Sequence, residues 1–256
     1  MHLLEVKNVS MRFGGLEAIK DLDLDIDEGE IRGLIGPNGA GKTTLFNVIS
    51  GVYRPTGGKV TFKGQDITFL KPHEVTKLGV VRTFQAITLF KNFTAFRNVL
   101  MGCHLYAKLS FWGAVLNSRD TRKTEAENEK KTVEILRFMG LDKNKDELAL
   151  NLPHGHQRAL GIAIALAAEP EVLMLDEPVT GMNPEETVEM MELVKRIRDR
   201  GISILLIEHD MKAVMSVCER ITVLDFGRKI AEGPPNEIKQ NEAVIEAYLG
   251  SEYDAA

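Results

Sequence analysis

Gly36-Pro37-Asn38-Gly39-Ala40-Gly41-Lys42-Thr43-Thr44 is the stretch whose reading decides the fold. It fits the phosphate-binding pattern G-x-x-x-x-G-K-[ST] without a gap or substitution. Ahead of it, Ile31-Arg32-Gly33-Leu34-Ile35 reads as a strand; behind it, Thr44-Leu45-Phe46-Asn47-Val48-Ile49 reads as a helix. The chemistry requires these residue types in this order. Glycines let the backbone adopt φ > 0 and bring successive N–H groups close to phosphate oxygens. The following helix directs its positive end at the same anion. Lys42 adds a point charge for the β and γ phosphates, and the Thr43 hydroxyl suits a Mg²⁺ ligand. The stretch therefore points to nucleotide binding.

The composition agrees with a chain built around one core. At 256 residues, with 44% hydrophobic and 27% charged residues, there is room for one sizeable core with a lobe attached. The net charge of −5 gives no electrostatic reason to expect a nucleic-acid partner. Cys103 and Cys218 lack metal-ligand spacing and read as reduced thiols of a cytosolic protein. Met1-His2-Leu3-Leu4-Glu5 lacks a basic region followed by an apolar one, so no signal peptide is expected. The apolar runs Gly161 to Ala168 and Ile202 to Ile207 are too short to span a membrane. Any membrane role must be peripheral, through a partner.

Outward from the phosphate loop, Leu3 to Val9 and Leu22 to Asp27 alternate apolar and polar residues, the period of half-buried antiparallel strands. Lys59 to Phe62 and Val80 to Phe84 read as further strands, the latter ending at Gln85. From about Thr94 the pattern becomes helical over Ala95 to Ala107 and Arg122 to Met139, the second with a charged, solvated outer face. After Leu152, α/β alternation resumes. Helices are expected over Gly155 to Ala168, Pro184 to Arg200, Met211 to Cys218, Pro235 to Gln240 and Ala243 to Leu249. Strands are expected over Glu171 to Leu175, Ile202 to Ile207, Ile221 to Asp225 and Lys229 to Ala231. Fully apolar runs such as Ile202 to Ile207 fit a parallel sheet covered on both faces.

Four further residues suit the same chemistry, although a polar loop or a surface residue at a strand end is the plainer reading of each alone. Val172 to Leu175 is an apolar strand ending in Asp176-Glu177. A strand-end Asp176 suits holding Mg²⁺ opposite Thr43, and Glu177 suits polarising an attacking water. His209 follows the strand Ile202 to Ile207, at the end of an α/β sheet where ligands gather, within reach of a γ-phosphate. Gln85 closes its own strand ahead of the helical stretch, where it is placed to sense the metal or the water.

Together these landmarks identify a family. Over nearly its whole length the sequence resembles the nucleotide-binding subunits of ABC transporters. The resemblance implies an α/β P-loop NTPase core with a parallel sheet, an N-terminal antiparallel β subdomain and an inserted α-helical subdomain at about 90–165. The ATP-binding domain would occupy 1–253, with 254–256 a tail. Gly36 to Thr44 corresponds to the Walker A loop, with Phe13 where the family stacks an aromatic residue on adenine. Gln85 corresponds to the Q-loop residue, also a metal contact, and Asp176 to the Walker B aspartate. Glu177 corresponds to the catalytic glutamate and His209 to the switch histidine.

Arg82-Thr83-Phe84-Gln85, Leu89-Phe90, Asn98-Val99-Leu100, the run from Gly181 to Thr187 and Asp225-Phe226-Gly227 are similar to the branch serving importers of branched-chain amino acids and related amides. The implied function is hydrolysis of ATP, with Mg²⁺, at a subunit dimer interface to drive import. The implied partners are a second ATP-binding subunit, two transmembrane permease subunits and an external solute-binding protein. No nucleic acid is expected, and the location would be the cytoplasmic face of a prokaryotic cell membrane. The competing expectation is a regulatory or soluble non-transport ABC ATPase with weak turnover.

One segment departs from the family. Where the signature Leu-Ser-Gly-Gly-Gln acts in trans on the partner's γ-phosphate, this chain has Leu152-Pro153-His154-Gly155-His156. Pro153 supplies neither a hydroxyl nor a backbone N–H, although the amino acid importer branch often has proline there, and His154 adds bulk where glycine allowed close approach. Two readings follow. Either the signature surface works less well and the two ATP sites of the dimer are unequal, or the histidines replace the lost donors. Asn183, where many relatives carry Asp, removes a charge at the same expected interface.

Overall fold

The computed structural model of the chain describes residues 2–83, 89–106 and 119–253. β1 (Leu4–Phe13) and β2 (Leu16–Ile26) form a hairpin across Gly14-Gly15, joined by β4 (Gly57–Phe62) and the short β5 (Gln65–Asp66). They build an antiparallel sheet in the order β2-β1-β4-β5. β1 runs four residues beyond the strand expected from alternation. Its register shifts between Val6 and Val9, with Asn8 at φ 50°, so the buried set changes from Leu4 and Val6 to Val9 and Met11. A bulge that moves the pattern onto the other parity hides the second half of a strand from a period-two reading.

The second sheet has the order β10-β9-β3-β8-β7-β6. Its strands are β3 (Ile31–Ile35), β6 (Val80–Arg82), β7 (Val172–Asp176), β8 (Ser203–Ile207), β9 (Arg220–Asp225) and β10 (Arg228–Gly233). All neighbours pair in parallel except β9 and β10. Every residue of β3, β7 and β8 is buried, which is why they read as mostly apolar runs, with Arg32 the charged exception inside β3. One face carries Ile31, Ile35, Leu173, Leu175, Ile204 and Leu206 into the helix-covered core. The other carries Leu34, Met174, Leu205 and Ile207 into a second core shared with the antiparallel sheet.

The helices are α1 (Lys42–Ile49), α2 (Pro72–Leu78), α3 (Ala95–Tyr106), α4 (Arg119–Phe138), α5 (His154–Leu166), α6 (Pro184–Arg198), α7 (Met211–Val217), α8 (Pro235–Gln240) and α9 (Glu242–Tyr253). Between β6 and β7 the chain runs through α3, α4 and α5. On α4, Lys123, Glu125, Glu127, Glu129 and Lys130 are exposed while Thr132, Ile135 and Leu136 are buried, as the charge pattern predicts. α2 escaped the sequence reading because it buries only Val75, although Pro72 at its start and Gly79 at its left-handed end mark it. α9 reaches Tyr253, past the expected Leu249. Both cysteines are free and buried, and burial pushes the Cys218 thiol well above its ordinary pKa. No described helix is long and apolar enough to cross a membrane.

A chain of ion pairs joins the two sheets. Arg220 on β9 pairs with Asp25 on β2 and donates to Glu30 at 2.9 and 3.1 Å. Arg32, fully buried on β3, lies 3.5 Å from Glu30 and 2.6 Å from Glu232 on β10. Burial raises the pKa of Glu30, against the lowering effects of the Asp27 backbone N–H and Arg220. Such a network stands only while each charge keeps its partners. Arg32→Ala is therefore expected to cost about 3–5 kcal/mol, the usual loss when one partner of a buried pair is removed. Urea unfolding of the purified chain measures it.

Candidate nucleotide-binding site

The register of the parallel sheet brings the chemistry together. Leu34 of β3 and Asp176 of β7 both pair with Ile207 of β8. The three neighbouring strands thus end at one level, and the residues following them are Gly36, Glu208-His209 and Glu177.

The loop from Gly36 to Gly41 packs too closely for side chains at two of its glycines. Gly36 has φ 149°, and a Cβ there would lie 2.1 Å from the Leu224 carbonyl oxygen. Gly41 has φ 103°, and a Cβ there would lie 2.6 Å from the Ala18 carbonyl oxygen. The Ala40 N–H donates to the Pro37 carbonyl at 3.2 Å, and the Gly227 N–H to the Ala40 carbonyl at 3.0 Å. Asn38 and Gly39 form the exposed crown of the loop. Lys42 opens α1 and its ammonium donates to the carbonyls of Gly36 at 2.6 Å and Pro37 at 2.9 Å. Burial lowers the Lys42 pKa, and the charges of Glu177 and Asp176 oppose that shift, so both carboxylates act on this ammonium. Thr43 is exposed and Thr44 half-buried on the same first turn. Phe13, at the end of β1, is 42% exposed and meets the edge of Tyr53 with centroids 5.3 Å apart.

Asp176 is buried at the end of β7. Arg82, from β6, donates to its Oδ2 at 2.8 Å and to Asn47 Oδ1 on α1 at 2.6 Å, with its guanidinium 5.3 Å from the Phe46 ring. Arg82 thereby ties the carboxylate strand to the phosphate-loop helix. Glu177 sits in the left-handed region at φ 50°, a conformation costing about 1–2 kcal/mol for a residue with a Cβ. Its N–H donates to the Ile207 carbonyl at 2.9 Å, and Thr180 Oγ1 donates to its Oε2 at 3.2 Å. The His209 side chain is 60% exposed, with Nδ1 3.7 Å from Glu208 Oε2. Gln85 lies outside the described residues. Thr43 and Asp176 offer a hydroxyl and a carboxylate, hard oxygen donors that fit Mg²⁺.

The altered signature segment lies elsewhere. Leu152 is buried, and its carbonyl accepts from Gln157 Nε2 at 2.9 Å. Pro153 caps α5, and His154 begins it. The His154 ring lies over the loop after β7, where a Cβ on Gly181 would meet its Cε1 at 3.4 Å. A Cβ on Gly155 would lie 3.6 Å from Glu186 Oε1, and His156 is half-buried. No hydrogen bond or ion pair among the described residues joins 152–156 to the phosphate loop of the same chain. Asn183 caps α6 reciprocally with Glu186.

Arg82, Asn47, Tyr53, Glu208 and Tyr248 were not picked out as site residues by the sequence. Arg82 carried a signal, a charge on an otherwise apolar strand; the others carried none. Tyr248 on α9 is half-buried; burial raises its phenol pKa, against a hydrogen bond with the Gly36 backbone.

A glycine loop feeding a helix, with a buried carboxylate at the end of a parallel strand close by, defines a P-loop nucleotide-binding ATPase. A model of the ABC transporter family matches residues 19–180, and one of branched-chain amino acid ATP-binding cassette transporters matches 228–254. LivG of Escherichia coli, a high-affinity branched-chain amino acid transport ATP-binding protein, is 43% identical over 249 residues, 97% of this chain and 98% of LivG. The crystal structure of an ATP-binding cassette of an ABC transporter in its ADP conformation superposes with a TM-score of 0.86 at 31% identity, covering 98% of this chain and 99% of that one. The dimeric structure of another ATP-binding cassette, in a post-hydrolysis state with ADP and Pi, has a TM-score of 0.75 at 26% identity, covering 91% and 98%. The chain belongs to the ABC transporter family and is an ATP-hydrolysing subunit of it.

The tight packing of the loop makes a direct prediction. Gly36→Ala must push Leu224 aside, and it is expected to weaken binding of a fluorescent ATP analogue by about tenfold or more, equivalent to about 1.4 kcal/mol or more. Titration of the purified chain checks this.

Proposed function

We propose that this chain hydrolyses ATP, with Mg²⁺, to drive import of branched-chain amino acids or related amino acids and amides. The observation that carries this reading is the likeness to LivG, which runs through the whole chain and extends to the C-terminal segment 228–254. Residues 1–253 form the ATP-binding unit, with a helical lobe at about 90–165 inserted in the α/β core and 254–256 as a tail. Its partners are a second ATP-binding subunit, two transmembrane permease subunits and an external solute-binding protein, with no nucleic acid. Its location is the cytoplasmic face of the membrane. The dimeric relative supports pairing of two such subunits around nucleotide.

In the proposed mechanism the exposed face of Phe13 stacks on adenine. The amides from Gly36 to Thr44 and the Lys42 ammonium hold the phosphates, with Lys42 exchanging its carbonyl partners for phosphate oxygens. Thr43 and Asp176, with Gln85, would hold Mg²⁺, which supplies neutralisation of phosphate charge during transfer. Glu177 orients and polarises the attacking water. His209 reaches from the neighbouring strand end to the γ-phosphate, and Gln85 reports the occupied state towards the helical lobe. The segment Leu152, Pro153, His154, Gly155 and His156 faces the partner's nucleotide.

A second reading, a regulatory or soluble ABC ATPase with weak turnover, draws support from that segment. Pro153 offers no N–H, and the His154 ring leans on Gly181 of its own chain. If the segment weakens the opposite site, replacing Pro153, His154 and His156 by Ser, Gly and Gln raises ATPase activity of the assembled transporter. An unchanged rate means that the histidines already supply the donors.

Two variants separate the assigned roles. Glu177→Gln is expected to keep ATP binding, trap a dimer and lower turnover by about 100-fold or more, the usual contribution of a general base; steady-state phosphate release and light scattering read both effects. Lys42→Ala is expected to weaken nucleotide binding itself by about tenfold or more, measured with a fluorescent ATP analogue.

A further inference from the structure

Glu208 is the residue before His209, and none of the roles above uses it. Continuing the alternation of β8, its side chain turns to the face of Ile204 and Leu206, beneath the helices, and is 1% exposed. Among the described residues no lysine or arginine forms an ion pair with it. Burial raises its pKa, against the lowering effect of the backbone N–H groups of Val179 and His209, the His209 ring 3.7 Å away and the Asp210 N–H. A buried carboxylate with no lysine or arginine beside it is costly, and an apolar side chain would fill the same space without that cost.

What the carboxylate does is join two loops. The Val179 N–H donates to Oε1 at 2.8 Å, and the His209 N–H donates to Oε2 at 3.1 Å. Val179 stands two residues beyond Glu177, and Pro178 between them has no N–H to donate. At the near end of the same turn, the Glu177 N–H donates to the Ile207 carbonyl at 2.9 Å. The Glu177–Val179 turn is thus held at both ends by Ile207 and Glu208, and it keeps Glu177 at φ 50°. The same carboxylate fixes the first peptide of the loop bearing His209.

We propose that Glu208 is a positioning residue for ATP hydrolysis: its carboxylate couples the loop bearing Glu177 to the loop bearing His209, so both groups engage and leave the γ-phosphate together. This rests on the roles given to Glu177 and His209. Gln at 208 keeps the shape but offers one acceptor oxygen, so one of the two loops faces an NH₂ group instead.

The test compares Glu208→Gln and Glu208→Ala in the assembled transporter. Glu208→Gln is expected to lower kcat by about tenfold and Glu208→Ala by up to about 100-fold, the loss that a displacement of about 1 Å produces. The KM for ATP should stay within about twofold, because the phosphate loop is untouched. Combined with His209→Ala, Glu208→Gln should cost less than the product of the single effects. Thermal melting identifies a variant that does not fold; Glu208→Gln, nearly isosteric, then carries the test. A kcat within about twofold of wild type in both variants, or a loss that multiplies independently with His209→Ala, overturns the coupling. Glu177→Gln and His209→Ala are measured alongside. If they keep kcat within about twofold of wild type, the underlying role assignments fail; if they lower it by about 100-fold while both Glu208 variants stay within about twofold of wild type, only the coupling fails.

Discussion

The parallel pairing of β3, β8 and β7 is the constraint on which the rest depends. A parallel ladder with buried faces allows little slippage, since a shift of one residue would turn an apolar set to the opposite face. With Leu34 and Asp176 both opposite Ile207, the three strands stop together. Whatever follows each strand is delivered to the same edge: a phosphate loop, a pair of acidic residues and a histidine. The antiparallel sheet and the helices cover the two faces, and the Arg32, Glu30, Arg220 and Asp25 ion pairs fasten the antiparallel sheet to the parallel one.

Much of this was legible in the sequence. β3, β7 and β8 are buried on both faces and so appear as short apolar runs, and Gly36 to Thr44 is a pattern whose chemistry leaves few alternatives. What was not legible depends on contacts between distant segments. Arg82 meets Asp176 from 94 residues away, and Glu208 meets Val179 across 29; neither spacing is periodic. The extension of β1 was concealed by a bulge at Asn8, and α2 by having one buried residue. The approach of the His154 ring to Gly181 of its own chain is visible only once α5 and the loop after β7 are packed together.

The site edge is held by groups that are individually unfavourable. Lys42 is buried, Glu177 occupies a left-handed conformation, and Glu208 is a buried carboxylate that no lysine or arginine among the described residues pairs with. Each is compensated by hydrogen bonds to the neighbouring strand end or loop. Such compensation makes the edge behave as a unit. A change at one strand end is felt at the next through a backbone amide or a carboxylate, which suits the γ-phosphate sensing proposed for this edge.

The most direct measurement is the structure of this chain with Mg²⁺ and a non-hydrolysable ATP analogue in the assembled transporter. Expected are the β and γ phosphates within the Gly36 to Thr44 amides, the metal on Thr43 and Asp176, and His209 with Glu177 at the γ-phosphate. Nucleotide bound away from this edge, or a metal that leaves Asp176 uncoordinated, would contradict the assignment of the three strand ends as one ATP site.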